Sequence, residues 1–206
     1  MLRLAAKYPS VDVFHCRLSS INAHGDVQSI GESRGEYETG AEMLYNTAVR
    51  QVPVRAADFM FRISALKKIG GFVPFPKAWF SDIATWVALA RENGACCSNE
   101  ILFQWRCSGE NISNVHTDLI EKTIAGVDFL KWIGLQMDAT PLKNQFDALF
   151  LAKSRRDVRW VTFGVMRYVA REAPLGVALR AMFSSRVPLG LRLRFAKDRI
   201  RRWLHV

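Results

Sequence analysis

The sequence predicts a mixed α/β layer followed by an all-helical, basic C-terminal region. Three observations carry this. β-favouring runs at 11–17, 58–62 and 101–106 are separated by helix signals, only helical patterns follow Asp118, and the charge changes sharply along the chain. Residues 1–150 hold 15 basic and 16 acidic residues, whereas 151–206 hold 14 basic and 3 acidic. Two physically different regions are therefore expected.

Val11 to Arg17 (VDVFHCR) is a short β-favouring run, and the Gly-containing stretch Asn22 to Gly31 reads as a turn or loop. Thr39 and Glu42 have capping-box spacing ahead of a short helix over Glu42 to Val49. Asp58 to Arg62 (DFMFR) is a second strand, after which Ser64 caps a helix that stops at Gly70-Gly71. The Gly pair ends it because only Gly takes the left-handed C-terminal position without a Cβ penalty. The clearest helix has Ser81 as N-cap, Asp82 in its first turn, Ile83, Trp86, Val87 and Ala90 on one face, and Gly94 as its stop. A third strand, Ile101 to Arg106, follows. Beyond it the periodicity predicts helices near 118–135, 143–153, 156–171 and 189–205.

Composition narrows the classes. The 206 residues are 50% hydrophobic and 23% charged, with a net charge of +10, which excludes a disordered or fibrous chain. The length is enough to bury a core without disulfides. No run approaches the roughly 18 consecutive apolar residues of a membrane span, and Met1 to Ser10 does not read as a signal peptide. A cytoplasmic location is the expectation. Cys16, Cys96, Cys97 and Cys107 show no C-x-x-C pairing and no His at zinc-finger spacing, so they read as buried thiols rather than metal ligands. His15 and His116 are each isolated from other ligand types. No metal site is expected in this chain.

Asp82 is the principal candidate for chemistry. It opens a helix after the aromatic, proline-containing loop Phe72 to Phe80 (FVPFPKAWF), and a helix N-terminus favours an ionised carboxylate. Such a carboxylate can accept a proton from a hydroxyl. The alternative is that Asp82 only charges the first turn, as acidic residues commonly do.

Several blocks, read in order, resemble the acceptor half of a family 2 glycosyltransferase of the GT-A fold. They are Phe59-Met60-Phe61-Arg62, Ala65 to Phe72 (ALKKIGGF), Ala78 to Trp86 (AWFSDIATW), Gln104-Trp105-Arg106 and Asn111-Ile112-Ser113. The resemblance covers residues 10–114, and the stretch from Gly-Gly-Phe to Asp82 is its most specific part. Ser81 stands where the family usually has the first acid of a pair, so a single acidic position carries the match. The resemblance divides the chain into a partial GT-A domain over 1–115 and a helical basic region over 116–206.

It implies an inverting transfer in which Asp82 is the general base for an acceptor hydroxyl that attacks a nucleotide-sugar donor. A glycan or lipid-linked acceptor is implied, with Trp79, Ser81, Arg106 and Asn111 as substrate-binding positions. Arg106 would face the donor diphosphate or the acceptor, or else form a structural ion pair. Trp79 would stack on a sugar or pack into the core. The family usually holds a divalent ion, Mg or Mn, with an Asp-x-Asp motif. That motif has no counterpart here, and neither does the nucleotide-binding half. The expectation is a fragment that is inactive by itself. Asn111-Ile112-Ser113 also fits the N-glycosylation pattern, a match that reads as accidental without a secretory signal.

The last segment has the pattern of a basic amphipathic helix. Leu189, Leu193, Ala196, Ile200, Trp203 and Leu204 share one face, and Arg194, Arg199, Arg201 and Arg202 lie off it. Residues 189–205 would either lie on an anionic membrane surface, placing the protein at the inner face of the membrane, or dock on the protein's own core. Nucleic-acid binding competes for the same charge, but no nucleic-acid-binding motif accompanies it, so no nucleic-acid partner is expected. The alternative to an enzyme is a non-catalytic membrane-surface or interaction module that keeps the acceptor-half fold.

Overall fold

The computed structural model describes residues 1–50, 55–106 and 117–203, with side chains described as far as Arg201. It is an α/β structure with a curled five-stranded mixed sheet and flanking helices. The chain runs through α1 (Leu2–Lys7), β1 (Val13–Ile21), β2 (Val27–Ile30), β3 (Tyr37–Glu38), α2 (Gly40–Leu44), β4 (Phe59–Phe61), α3 (Ile63–Lys68), α4 (Ser81–Ala90) and β5 (Ala95–Arg106). It closes with α5 (Leu119–Ala139), α6 (Asp147–Glu172), α7 (Leu175–Phe183) and α8 (Leu189–Trp203).

β1 is the central strand and is buried along most of its length. It pairs in parallel with β5 from Val13↔Ala95 to Ile21↔Arg106. Its other edge pairs antiparallel with β4 at residues 13–15 and with β2 at residues 19–21. The stretch expected to be a loop at 22–31 therefore contains a strand. Asn22 Oδ1 accepts the amides of His24 and Asp26, both at 2.9 Å, and Gly25 takes φ +97°, which turns the chain into β2. β5 begins at Ala95 rather than Ile101, and its first three residues lie buried beneath the helices.

Thr39 caps α2 as expected, its Oγ1 accepting the Glu42 amide at 3.2 Å. The helix then widens into a π-turn over Tyr45–Val49. Gly70 and Gly71 end α3 at φ +83° and +100°, with the Gly71 amide reaching back to the Leu66 carbonyl at 2.9 Å. Two expected caps are corrected. Arg62, not Ser64, precedes α3, and Phe80, not Ser81, precedes α4, because Phe80 takes the left-handed conformation at φ 71°. α4 ends at Ala90, and a turn carries the chain to Gly94 at φ 72°.

The helices expected at 143–153 and 156–171 are one continuous helix, α6, because no Gly or Pro interrupts residues 147–163. α1 and α7 were not anticipated.

Trp86 of α4 is buried and stacks on Phe59 at 4.8 Å, with Phe61 and Phe72 against its other sides. A second cluster joins Leu44 and Ala48, Phe80, Ala84 and Val87 to Phe129 and Ile133 of α5 and Leu151 and Val158 of α6. The core thus draws on residues from both sides of position 115. A third cluster packs Leu191 and Phe195 of α8 on Met166 and Val169 of α6. Of the two expected uses of the Leu189, Leu193 and Ile200 face, docking on the protein's own core does not hold, since these residues stay exposed while Leu191 and Phe195 go inside. The Trp203 side chain and Leu204 lie outside the described residues. Among the described residues no helix is long and apolar enough to cross a membrane.

Candidate functional site

Three of the sequence blocks converge on one aromatic cluster. The strand Phe59–Phe61, the Gly70-Gly71-Phe72 turn and the α4 helix meet through the ring contacts of Trp86. That packing fixes the direction from which the 72–80 loop enters α4.

The loop is strained. Lys77, Ala78 and Phe80 take φ of 56°, 52° and 71°, three left-handed non-glycine residues in four. A non-glycine residue there costs on the order of 1–2 kcal/mol, and such residues cluster where a side chain must be held in place. Hydrogen bonds and ring contacts hold the loop. The Val73 amide donates to Thr85 Oγ1 at 3.0 Å and the Phe75 amide donates to Ser81 Oγ at 3.2 Å. Phe75 meets Phe129 edge-on, and Phe80 stacks on Phe129 at 4.7 Å.

Asp82 is the second residue of α4. It is half-buried, and its Oδ1 accepts the Ile83 amide at 2.8 Å. Among the described residues Oδ2 meets no donor. Phe80 offers no capping side chain, so the carboxylate sits at the positive end of the helix and meets one of its open amides. Asp82 is therefore both a first-turn acceptor and a carboxylate with one oxygen to spare. Four surface grooves of about 470 to 1060 Å³ are lined without it.

The other expected positions have definite surroundings. Ser81 is buried and its hydroxyl is occupied in holding Phe75. Trp79 is half-buried between two core clusters, with the Lys122 ammonium 4.2 Å from its ring centre. Burial pushes the Lys122 pKa down, against the raising effect of Asp118. Asp118 in turn lies 3.5 Å from Lys77 Nζ. Lys77, Trp79, Asp118 and Lys122 thus join the loop to the start of α5. Arg106 ends β5 and donates from Nη1 to the carbonyls of Asn22 and Ala23, at 3.0 and 2.7 Å, on the β1–β2 turn. Asn111, Cys107 and His116 lie outside the described residues.

A polar cluster inside the sheet was not legible in the sequence. Glu38 of β3 is buried and receives Arg34 Nε at 2.7 Å, Arg34 Nη2, and Asn46 Nδ2 at 2.9 Å. His15 Nε2 stands 3.9 Å away, beyond hydrogen-bond distance. Burial holds the His15 pKa below its usual value, so the ring is neutral. Burial alone would raise the Glu38 carboxyl, but His15 and Arg34 outweigh it and hold it low. His15 Nε2 and Arg34 Nη1 have no hydrogen-bond partner among the described residues. Just before β4, whose Phe59 pairs with His15, burial pushes the Asp58 carboxyl up to about 7. With its arginine and glutamate already bonded to each other, the cluster ties β3 and the π-turn to the central strand.

Among the described residues, no group of three or more His, Cys, Asp or Glu side chains could hold a metal ion. In comparisons with known proteins, no family model, no curated protein and no solved structure matches this chain.

Proposed function

We propose that this chain supplies the acceptor side of a family 2-like glycosyl transfer on a GT-A fold. In this reading Asp82 Oδ2 takes the proton of an acceptor hydroxyl. The deprotonated acceptor oxygen then bonds to the anomeric carbon of a nucleotide sugar as the bond to the nucleoside diphosphate breaks, with inversion. The observation that carries the reading is the strained 77–80 loop leading into a half-buried Asp82 at a helix start. The order of the sequence blocks supports it. The donor diphosphate and any divalent ion would be held by residues outside these 206, and this chain contributes no step through a metal.

The chain itself can be tested. Labelled protein titrated with glucose-, galactose- and N-acetylglucosamine-terminated oligosaccharides should show saturable NMR shifts confined to residues 72–85 and 118–122. Asp82→Ala should weaken that response at least tenfold. Shifts spread elsewhere, or none across the panel, would end the proposal. In a chain or complex that carries the nucleotide-binding half, Asp82→Asn should abolish transfer and leave donor binding largely intact, and unchanged turnover would remove Asp82 from the base role.

A further inference from the structure

α7 and α8 each bury one face and leave a second apolar strip outside. On α8 the inner residues are Leu191 and Phe195, which pack on α6. At 100° per residue, Leu189, Leu193, Ala196 and Ile200 fall within about 60° of arc on the opposite side. Leu193 is 63% exposed and Ile200 58%. On α7, Ala178 and Ala181 are inside while Leu175, Leu179 and Phe183 are outside, Phe183 at 81% exposure. A groove of about 470 Å³, lined by Leu175, Leu179, Met182, Ala196 and Ile200, joins the two strips.

Exposed basic side chains run along one side of the α8 strip. Arg194, Lys197 and Arg201 are exposed along one flank, while on the other Arg192 is half-buried and Arg199 donates to the Ala173 carbonyl. Residues 175–201 contain seven basic residues and one acid, Asp198, which Arg167 already holds in a two-pronged pair at 2.5 and 2.6 Å. The surface beside the apolar strip is therefore strongly cationic. A second copy of the chain would bring this charge against itself. Protein-interface hot spots are poor in Leu, whereas Leu175, Leu179, Leu189 and Leu193 make up most of this strip. Long Arg and Lys stems beside an aliphatic strip suit a headgroup layer, where the strip enters the acyl boundary and the cations meet phosphates.

We infer that the outer face of α7 and α8 docks on an anionic lipid bilayer. The inference stands apart from sugar transfer and does not rest on Asp82. The test is flotation of the 206-residue chain with vesicles of phosphatidylcholine, with or without 30% phosphatidylglycerol. Binding to the anionic vesicles should be at least tenfold tighter than to phosphatidylcholine alone, and weaker in 500 mM than in 50 mM NaCl.

The triple variant Phe183→Ser, Leu193→Ser, Ile200→Ser alters solvent-facing positions, so its helical circular dichroism should match the parent. Its binding should fall at least tenfold. Lys197→Gln with Arg201→Gln should lower affinity by about fivefold per charge and flatten the salt dependence. Equal binding to neutral vesicles, or an undiminished response in the triple variant, would overturn the inference. So would lipid-free self-association that the triple variant abolishes, since the face would then join two copies.

Discussion

Asp58 shows how far burial can move one side chain. It is 1% exposed, Oδ1 accepts the Arg55 amide at 2.9 Å, and desolvation raises the carboxyl from 3.8 to about 7. An acid raised in this way keeps its proton longer in the folded state than in the unfolded chain. Stability therefore declines as pH climbs from about 4 through 7, by on the order of 4 kcal/mol in total. Asp58→Asn keeps the amide contact and removes the charge. The variant should be more stable than the parent in urea at pH 8, with the advantage shrinking to nothing near pH 3.5. A constant difference across that range would show that Asp58 titrates normally. His15 and Glu38 act in the opposite sense, since both are held below their usual values. Their contribution is lost on acidification, below about 6.5 for His15 and about 4.5 for Glu38, and it persists in Asp58→Asn. Backbone strain is the second effect at this scale. Lys77→Gly relieves one left-handed residue, so chemical denaturation should show a gain of about 0.5–1 kcal/mol. If the strain serves the site, the same variant binds oligosaccharide more weakly.

At the scale of elements, one buried carboxylate joins α6 to α2. Asp147 Oδ1 accepts Thr39 Oγ1 at 2.6 Å, and Oδ2 accepts the amides of Lys143 and Asn144 at 2.5 and 3.1 Å. Asp147→Ala leaves the Thr39 hydroxyl unpaired in a buried place and two amides partly buried, so a loss of about 2 kcal/mol is expected in urea denaturation, with Thr39→Ala losing about 1. A loss under 1 kcal/mol for Asp147→Ala would mean that water satisfies the orphaned amides. Local chemistry made several elements legible, namely the Thr39 cap, the Gly70-Gly71 stop and the Trp86 face. It failed where two local answers were equally good. α8 has apolar residues on both sides, and periodicity cannot tell Leu189, Leu193 and Ile200 from Leu191 and Phe195, because α6 and α7 make that choice. The Arg34, Glu38 and His15 cluster was illegible for a different reason. It forms only when β3 pairs with β5 and β5 with β1, a contact across 23 residues of sequence. At the site, Asp82 and the loop were visible as sequence, but the left-handed run at 77–80 and the Lys122 contact with Trp79 depend on α5.

For the whole molecule, the charge break near residue 150 and the motif boundary near 115 are features of composition, and the packing does not follow them. Phe80 and Val87 on one side share a core with Phe129, Ile133, Leu151 and Val158 on the other. Separating the two parts would expose these side chains, at roughly 1.5–3 kcal/mol each. That sum is comparable to the whole stability of an ordinary domain, so the parts should unfold together. The chain carries its own reporters. Trp86 lies in the sheet-side cluster with Phe59, whereas far-ultraviolet circular dichroism is dominated by α5, α6 and α8. With the other five tryptophans replaced by Phe, Trp86 fluorescence and circular dichroism should give superimposable urea transitions with one midpoint. A helical signal that melts while Trp86 stays buried would mean that the 116–206 region is a separate folding unit, with the shared cluster contributing little to its stability.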